Sequence, residues 1–239
     1  MTQFRPTGFG VLPLVIKNLL IINALVFLAQ NTLVGGAMPF SLEEMFALHA
    51  YQSSLFKPWQ LITHMFMHGS LSHIFGNMLA LWMFGAILEN IWGPRQFLIF
   101  YFLCGLGAAF LHLGIMSYEL MDASTYYHQL MNSGNITSLK DIEFINNYQS
   151  RIDVATLGAS GAIFGVLIAF VYLFPNTYIY IYFFLPMKAK WLGIIYFSFE
   201  LITALQNAPG DGVARWAHVG GAVIGFVLVF LWKKNNRNF

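Results

Sequence analysis

Six stretches of this chain, at 14–34, 71–88, 96–115, 157–173, 191–205 and 216–232, are apolar runs of the kind that cross a lipid bilayer. A spanning helix needs about 20 apolar residues to cover roughly 30 Å of hydrocarbon, so the fifth run is short and borrows from the aromatic stretch before it. Composition agrees, because the chain is 58% hydrophobic and only 9% charged, whereas soluble domains carry about 25% charge. The reading is an all-α polytopic membrane protein with six transmembrane helices in one bundle spanning 1–239. The net charge of +2 and the lack of a long basic cluster exclude nucleic acid as a partner. Cys104 is the only cysteine, which excludes internal disulfides and thiolate zinc sites, and it reads as a small core residue. Arg5 and Lys17 precede the first apolar core as in a secretory signal. That core runs on to Val34 without a clear cleavage site, so it is read as a span.

Six spans put both termini on one side. Arg5, Lys17, Arg95, Lys188, Lys190, Lys233, Lys234 and Arg237 fall on that side, and only Lys57, Lys140, Arg151 and Arg215 on the other. Positive charge collects on the cytoplasmic side, so both termini are expected there, with the long loops 35–70 and 116–156 outside. In the first loop, Ser41-Leu-Glu-Glu44 has the capping-box form and predicts a short helix from Leu42 to about Ala50. Phe40, Leu42, Met45, Phe46 and Leu48 make this segment interfacial. The second loop is polar and tyrosine-rich, with a helix expected from Ser138-Leu-Lys-Asp141 to Tyr148. On the cytoplasmic side Tyr178 to Phe183 alternates like a strand and reads as an interfacial segment.

Against this background the polar residues stand out. The run 157–173 contains no charge and only two polar side chains, Ser160 and Tyr172. Gly161 and Gly165 form a small-xxx-small pattern, which by itself explains close helix packing. Far downstream, Ala217-His218-Val-Gly-Gly221-Ala-Val-Ile-Gly225 opens a second glycine-striped run with a histidine at the same end. The two segments together offer a hydroxyl and an imidazole to each other. Ahead of the second run, His64, His68, His73 and Asn77 fall close together, and His73 and Asn77 share a helix face. Three readings fit these residues: interhelical hydrogen bonding, an oxyanion site beside a nucleophile, or a metal site built on His64 and His68. No His-Glu-x-x-His motif or nearby carboxylate supports the metal.

In order and spacing, His64-x-x-x-His68-x-x-x-x-His73-x-x-x-Asn77, Gly158-Ala-Ser160-Gly161 and Ala217-His218-x-x-Gly221 resemble the rhomboid family of intramembrane serine proteases over roughly 59–225. The resemblance implies a bacterial-type six-helix fold, with Ser160 as nucleophile and His218 as general base. It further implies an oxyanion site of His73, Asn77 and the Ser160 backbone N–H. Glu89-Asn-Ile-Trp-Gly93 resembles the family's Glu-x-x-x-Gly, a structural feature. The chain departs from the family at Trp59-Gln60, where Trp-Arg is frequent, and at Phe164, where some members carry tyrosine. No metal or organic cofactor is implied. The expected partners are the bilayer and transmembrane protein substrates, and the expected location is a bacterial inner membrane.

The chemistry supports the same layout. Serine is a weak nucleophile until an adjacent base takes its proton, and histidine can then protonate the leaving amine. Asp211 is the only acid within a few residues of His218 and reads as a loop residue. A dyad is therefore expected, its imidazole held by packing. Gly161, Gly165, Gly221 and Gly225 would let the two backbones approach, and His64, His68 and Phe164 line or support the site. Glu200 is the only acid well inside a span, and it either faces the first loop or pairs within the bundle. The opposing reading is a non-enzymatic membrane protein. It could be an inactive relative that binds client helices, or a transporter, although no internal repeat is visible.

Overall fold

The computed structural model describes residues 10–33, 41–134, 136, 138–181, 185–206 and 214–235. Arg5, Phe40, Phe183, Asp211 and Arg237 lie outside the described residues. The chain is a helical bundle. Helix α1 (Leu14–Thr32) is followed by two short helices, α2 (Leu42–Phe46) and α3 (Gln60–Thr63). Next, α4 (Leu71–Ala80) runs through a π-helical turn at Leu81–Gly85 into α5 (Ala86–Trp92). Then come α6 (Pro94–Glu119), α7 (Met121–Ser133), α8 (Leu139–Ile152) and α9 (Ser160–Leu173). An antiparallel hairpin of β1 (Tyr178–Ile181) and β2 (Leu185–Lys188) leads to α10 (Ala189–Gln206) and α11 (Arg215–Asn235).

Four helical segments are long and apolar enough to cross a membrane: Leu14–Thr32, Leu71–Trp92, Pro94–Glu119 and Arg215–Lys234. Helix α9 is more apolar than these but shorter, at 14 residues. It is also the most enclosed, with Val166 and Ala169 fully buried between α6 and α11.

Glycines set the spacing among these three helices. A Cβ at Gly221 would fall inside the carbonyl group of Gly161, and one at Gly225 would strike Gly165. On the other side of α9, Gly165 lies against the thiol of Cys104, which explains a small buried residue at that point of α6. With backbones this close, side chains at the ends of α9 and α11 can reach each other directly.

The end of α5 anchors α1. Glu89 is buried, and its two carboxylate oxygens accept the backbone N–H groups of Val15 and Ile16, each at 2.8 Å. These are orphan donors of the α1 N-terminus, and a carboxylate there also meets the positive end of the helix dipole. Gly93, at φ +83°, then turns the chain from α5 into α6.

The two long loops brace each other, and here the structure departs from expectation. Helix α2 stops at Phe46 rather than near Ala50, because Leu48 pairs through both its N–H and its C=O with Thr156 at 2.8 Å. Ala50 N–H also donates to the Ile152 carbonyl. The Ser41 side chain caps Glu43 N–H, so the cap is present without the reciprocal Glu44 bond. Gln60 occupies the position where arginine is frequent, and it is fully buried. Its amide donates to the carbonyls of Glu44, Met45 and Leu55 and accepts from Lys57 N–H, tying the loop into one unit.

The segment 116–156 is more helical than its polarity suggests. Helix α6 continues to Glu119, α7 follows, and α8 begins at the expected Ser138–Asp141 capping box and runs to Ile152. Leu120, Tyr148, Ile152 and Ala50 of the first loop form a small core of their own. Tyr178–Ile181 is a strand, as its alternation predicts, paired with β2.

Candidate active site

Ser160 is the first residue of α9. The preceding turn depends on Gly158, whose φ of +126° disfavours any L side chain. Gly158 N–H donates to the His64 carbonyl at 2.9 Å, fixing the approach to the serine. A Cβ at this glycine would stand 2.8 Å from both Cε1 and Nε2 of His73, so the backbone passes directly beneath that ring. His73 and Asn77 are oriented by α4, whose start is capped by the Ser70 side chain accepting from His73 N–H at 3.1 Å. Asn77 lies 3.6 Å, through Nδ2, from the same Cβ position, and this buried nitrogen has no hydrogen-bond partner among the described residues.

From the first turn of α11, His218 reaches across. Its Nε2 is 2.8 Å from Ser160 Oγ. The Phe164 ring stacks nearly parallel on the imidazole, with centroids 4.4 Å apart and 13° between planes. Tyr196 of α10 packs on the outer side of Phe164. The expectation that packing alone holds the imidazole is incomplete, because Nδ1 of His218 is also 3.0 Å from Glu200 Oε2. The same oxygen accepts from the Arg215 guanidinium at 3.3 Å. Glu200 is 3% exposed and sits on α10, so it pairs within the bundle rather than facing the first loop.

Ser160, His218, His73, Asn77, Phe164 and Tyr196 line one cavity of about 500 Å³, closed further by Phe84, Leu157 and Leu192. Such a volume lies in the ordinary range of ligand-binding pockets. His64 and His68 do not line it. The His64 ring is buried and binds the Gln60 carbonyl through Nδ1 at 2.8 Å. The main chain of His68 pairs with the Gln30 side chain, and its ring packs edge-on against His73. Burial pushes the His64 imidazole down to about 4, against partial support from the Gln60 and Leu61 main chain. Burial, and secondarily the neighbouring His73, does the same for His68. Both are neutral supports for the floor of the site.

Sequence reasoning brought together Ser160, His218, His73, Asn77, Gly158 and Phe164. It missed the contact between Glu200 and His218 and the bond from His112 to Thr156 at 2.9 Å. An acid alone inside an apolar run was the available signal for Glu200.

A family model, the Rhomboid domain, matches residues 55–235. The chain belongs to the rhomboid family. Rhomboid protease AarA of Providencia stuartii is 31% identical over 193 residues, which is 77% of this chain and 59% of that protein. RHOMBOID-like protein 12, mitochondrial, of Arabidopsis thaliana is 29% identical over 164 residues, 69% of this chain and 43% of that protein. Rhomboid protease GluP of Bacillus subtilis is 26% identical over 188 residues, 77% of this chain and 28% of that protein. This rhomboid therefore spans about half, or less, of the length of several relatives it matches. The family includes serine proteases that work within membranes, and the apolar helices make this member an integral membrane protein.

Proposed function

We propose that this rhomboid is an intramembrane serine endopeptidase that cuts single-span membrane proteins near the external face of the bilayer. The observation that carries the reading is the 2.8 Å contact between His218 Nε2 and Ser160 Oγ at the wall of a cavity that Asn77, whose Nδ2 has no partner among the described residues, lines too. Ser160 Oγ attacks the scissile carbonyl carbon as His218 Nε2 takes the hydroxyl proton. The carbonyl oxygen becomes an oxyanion, which accepts hydrogen bonds donated by Asn77 Nδ2, His73 and the Ser160 main-chain N–H. That N–H is an orphan donor at the first position of a helix. His218 returns its proton to the leaving amine, and a water repeats the sequence to release the acyl group.

The bundle is read as six spans, counting the short α9 and the 18-residue α10, with both termini cytoplasmic, in a bacterial inner membrane. At 1.5 Å per residue α9 is about 21 Å long, roughly 10 Å short of the hydrocarbon thickness. With its last turn at the inner boundary, Ser160 lies below the outer surface at a depth that water reaches through the cavity. A substrate must present extended backbone there, so spans with small residues beside helix-weakening ones are cut. A rigid poly-leucine span of equal length should resist cleavage.

The test is labelling of the purified protein in detergent with a fluorophosphonate, beside Ser160→Ala and His218→Ala. Labelling of the unaltered chain alone supports the reading. Labelling that survives Ser160→Ala removes Ser160 as nucleophile. A folded but unlabelled chain favours a rhomboid-like protein that binds client helices without cutting them.

A further inference from the structure

We infer that Glu200 is a positioning residue for His218, so that this member works with a serine–histidine–glutamate triad rather than a dyad. The inference rests on the proposed proteolytic function. Its basis is that the imidazole is engaged at both nitrogens, with Nε2 at 2.8 Å from Ser160 Oγ and Nδ1 at 3.0 Å from Glu200 Oε2. For Nε2 to accept the serine proton, the neutral ring must carry its own proton on Nδ1. A carboxylate, which accepts and cannot donate, selects that tautomer. When Ser160 loses its proton to Nε2, the imidazolium is left facing the carboxylate through Nδ1–H. The proton on Nδ1 stays where it is, and the proton on Nε2 passes to the leaving amine, which leaves the imidazole neutral again.

The surroundings fit this role. Glu200 is 3% exposed and comes from α10, while Ser160 and His218 come from α9 and α11, so the contact ties three helices at one point. Phe164 fixes the plane of the imidazole by stacking, and Glu200 fixes which edge of the ring faces it. Stacking alone leaves two ring orientations open, related by a flip that exchanges the nitrogen edge for a carbon edge. The carboxylate removes one of them. Arg215, 3.3 Å from the same oxygen, offsets part of the cost of burying the carboxylate.

The rival account is that Glu200 and Arg215 form an ion pair that only pins α10 to α11. The two accounts separate in the inactivation kinetics of a fluorophosphonate, measured as kinact and KI on the full chain in detergent. Losing the tautomer-setting acid costs on the order of 10⁴-fold in a serine–histidine–aspartate enzyme. Glu200→Gln is expected to lower kinact by at least about 10²-fold with KI nearly unchanged. Glu200→Asp, which restores the charge on a shorter arm, should recover part of the loss. Arg215→Gln, which removes the ion pair and leaves the Nδ1 contact, should keep most of the wild-type kinact. Wild-type kinact in Glu200→Gln would overturn the positioning role while leaving the protease reading standing. An equal loss in Arg215→Gln would overturn it in favour of the ion pair. A wild-type chain that does not label at all would remove the protease reading and this inference with it. Should Glu200→Gln fail to fold, ¹⁵N spectra of histidine-labelled wild type decide, because a His218 resonance pair showing Nδ1 unprotonated would overturn the assignment.

Discussion

Asn77 keeps a buried amide nitrogen without a partner among the described residues, an arrangement that costs stability on the order of 1–3 kcal/mol. A group retained at such a cost is explained if the missing acceptor arrives with the reaction, as the oxyanion would. The two effects predict opposite movements in one variant. Asn77→Leu should melt at the same temperature as the wild type or higher, while kinact with a fluorophosphonate falls about 10²–10³-fold, the usual effect of losing one oxyanion donor. A variant that melts much lower and labels normally would make Asn77 a structural residue. Asn77 was legible because its four-residue spacing from His73 fixes a shared helix face. Glu200 was not, because periodicity tells which face of α10 a residue occupies but not which neighbour that face meets. Its partner lies 18 residues downstream on another helix.

At the level of the helix pair, α9 and α11 touch through backbone. Gly221 faces the Gly161 carbonyl with no room for a methyl group. Overpacking a tight core costs about 1–3 kcal/mol, and here a branched side chain meets main chain that cannot rotate away. Gly221→Val should therefore lower the melting temperature and abolish Ser160 labelling with both reacting side chains intact, because their helices part. A Gly221→Val protein that labels like wild type would refute direct backbone packing as the origin of the 2.8 Å contact. The glycine pattern was visible as a spacing, so this contact could be anticipated. The caps that cross the chain could not, since nothing local in Glu89 announces that it serves Val15 and Ile16 at the far end of another helix. Likewise the polarity of 121–133 concealed helix α7, because a helix that buries only a narrow stripe on a small outer core looks like loop by composition, whereas the capping box at Ser138–Asp141 announced α8.

Across the whole molecule, the floor of the site rests on two neutral imidazoles, and this gives the fold a pH limit independent of catalysis. His64 and His68 are 4% and 2% exposed, and burial holds each at about 4 against an ordinary 6.5. Between those values the unfolded chain binds protons that the folded chain refuses, so stability is complete above about 6.5 and falls as pH drops towards 4. At 1.36 kcal/mol per pKa unit, each histidine removes on the order of 2 kcal/mol by about pH 5. The two sites share the wall between the first loop and α4. His64 holds the Gly158 turn through its carbonyl, and His68 is clamped to α1 by Gln30. Their protonation should therefore loosen the serine turn and α1 in one transition. Melting temperature in detergent, followed from pH 7.5 to 4.5, is expected to drop steeply below about 6.5. His64→Asn removes the titrating group while keeping a side-chain N–H for the Gln60 carbonyl, and should remove part of that slope. A melting temperature level across the range would mean that both rings reach water in the folded protein, and that the floor is open where the structure closes it.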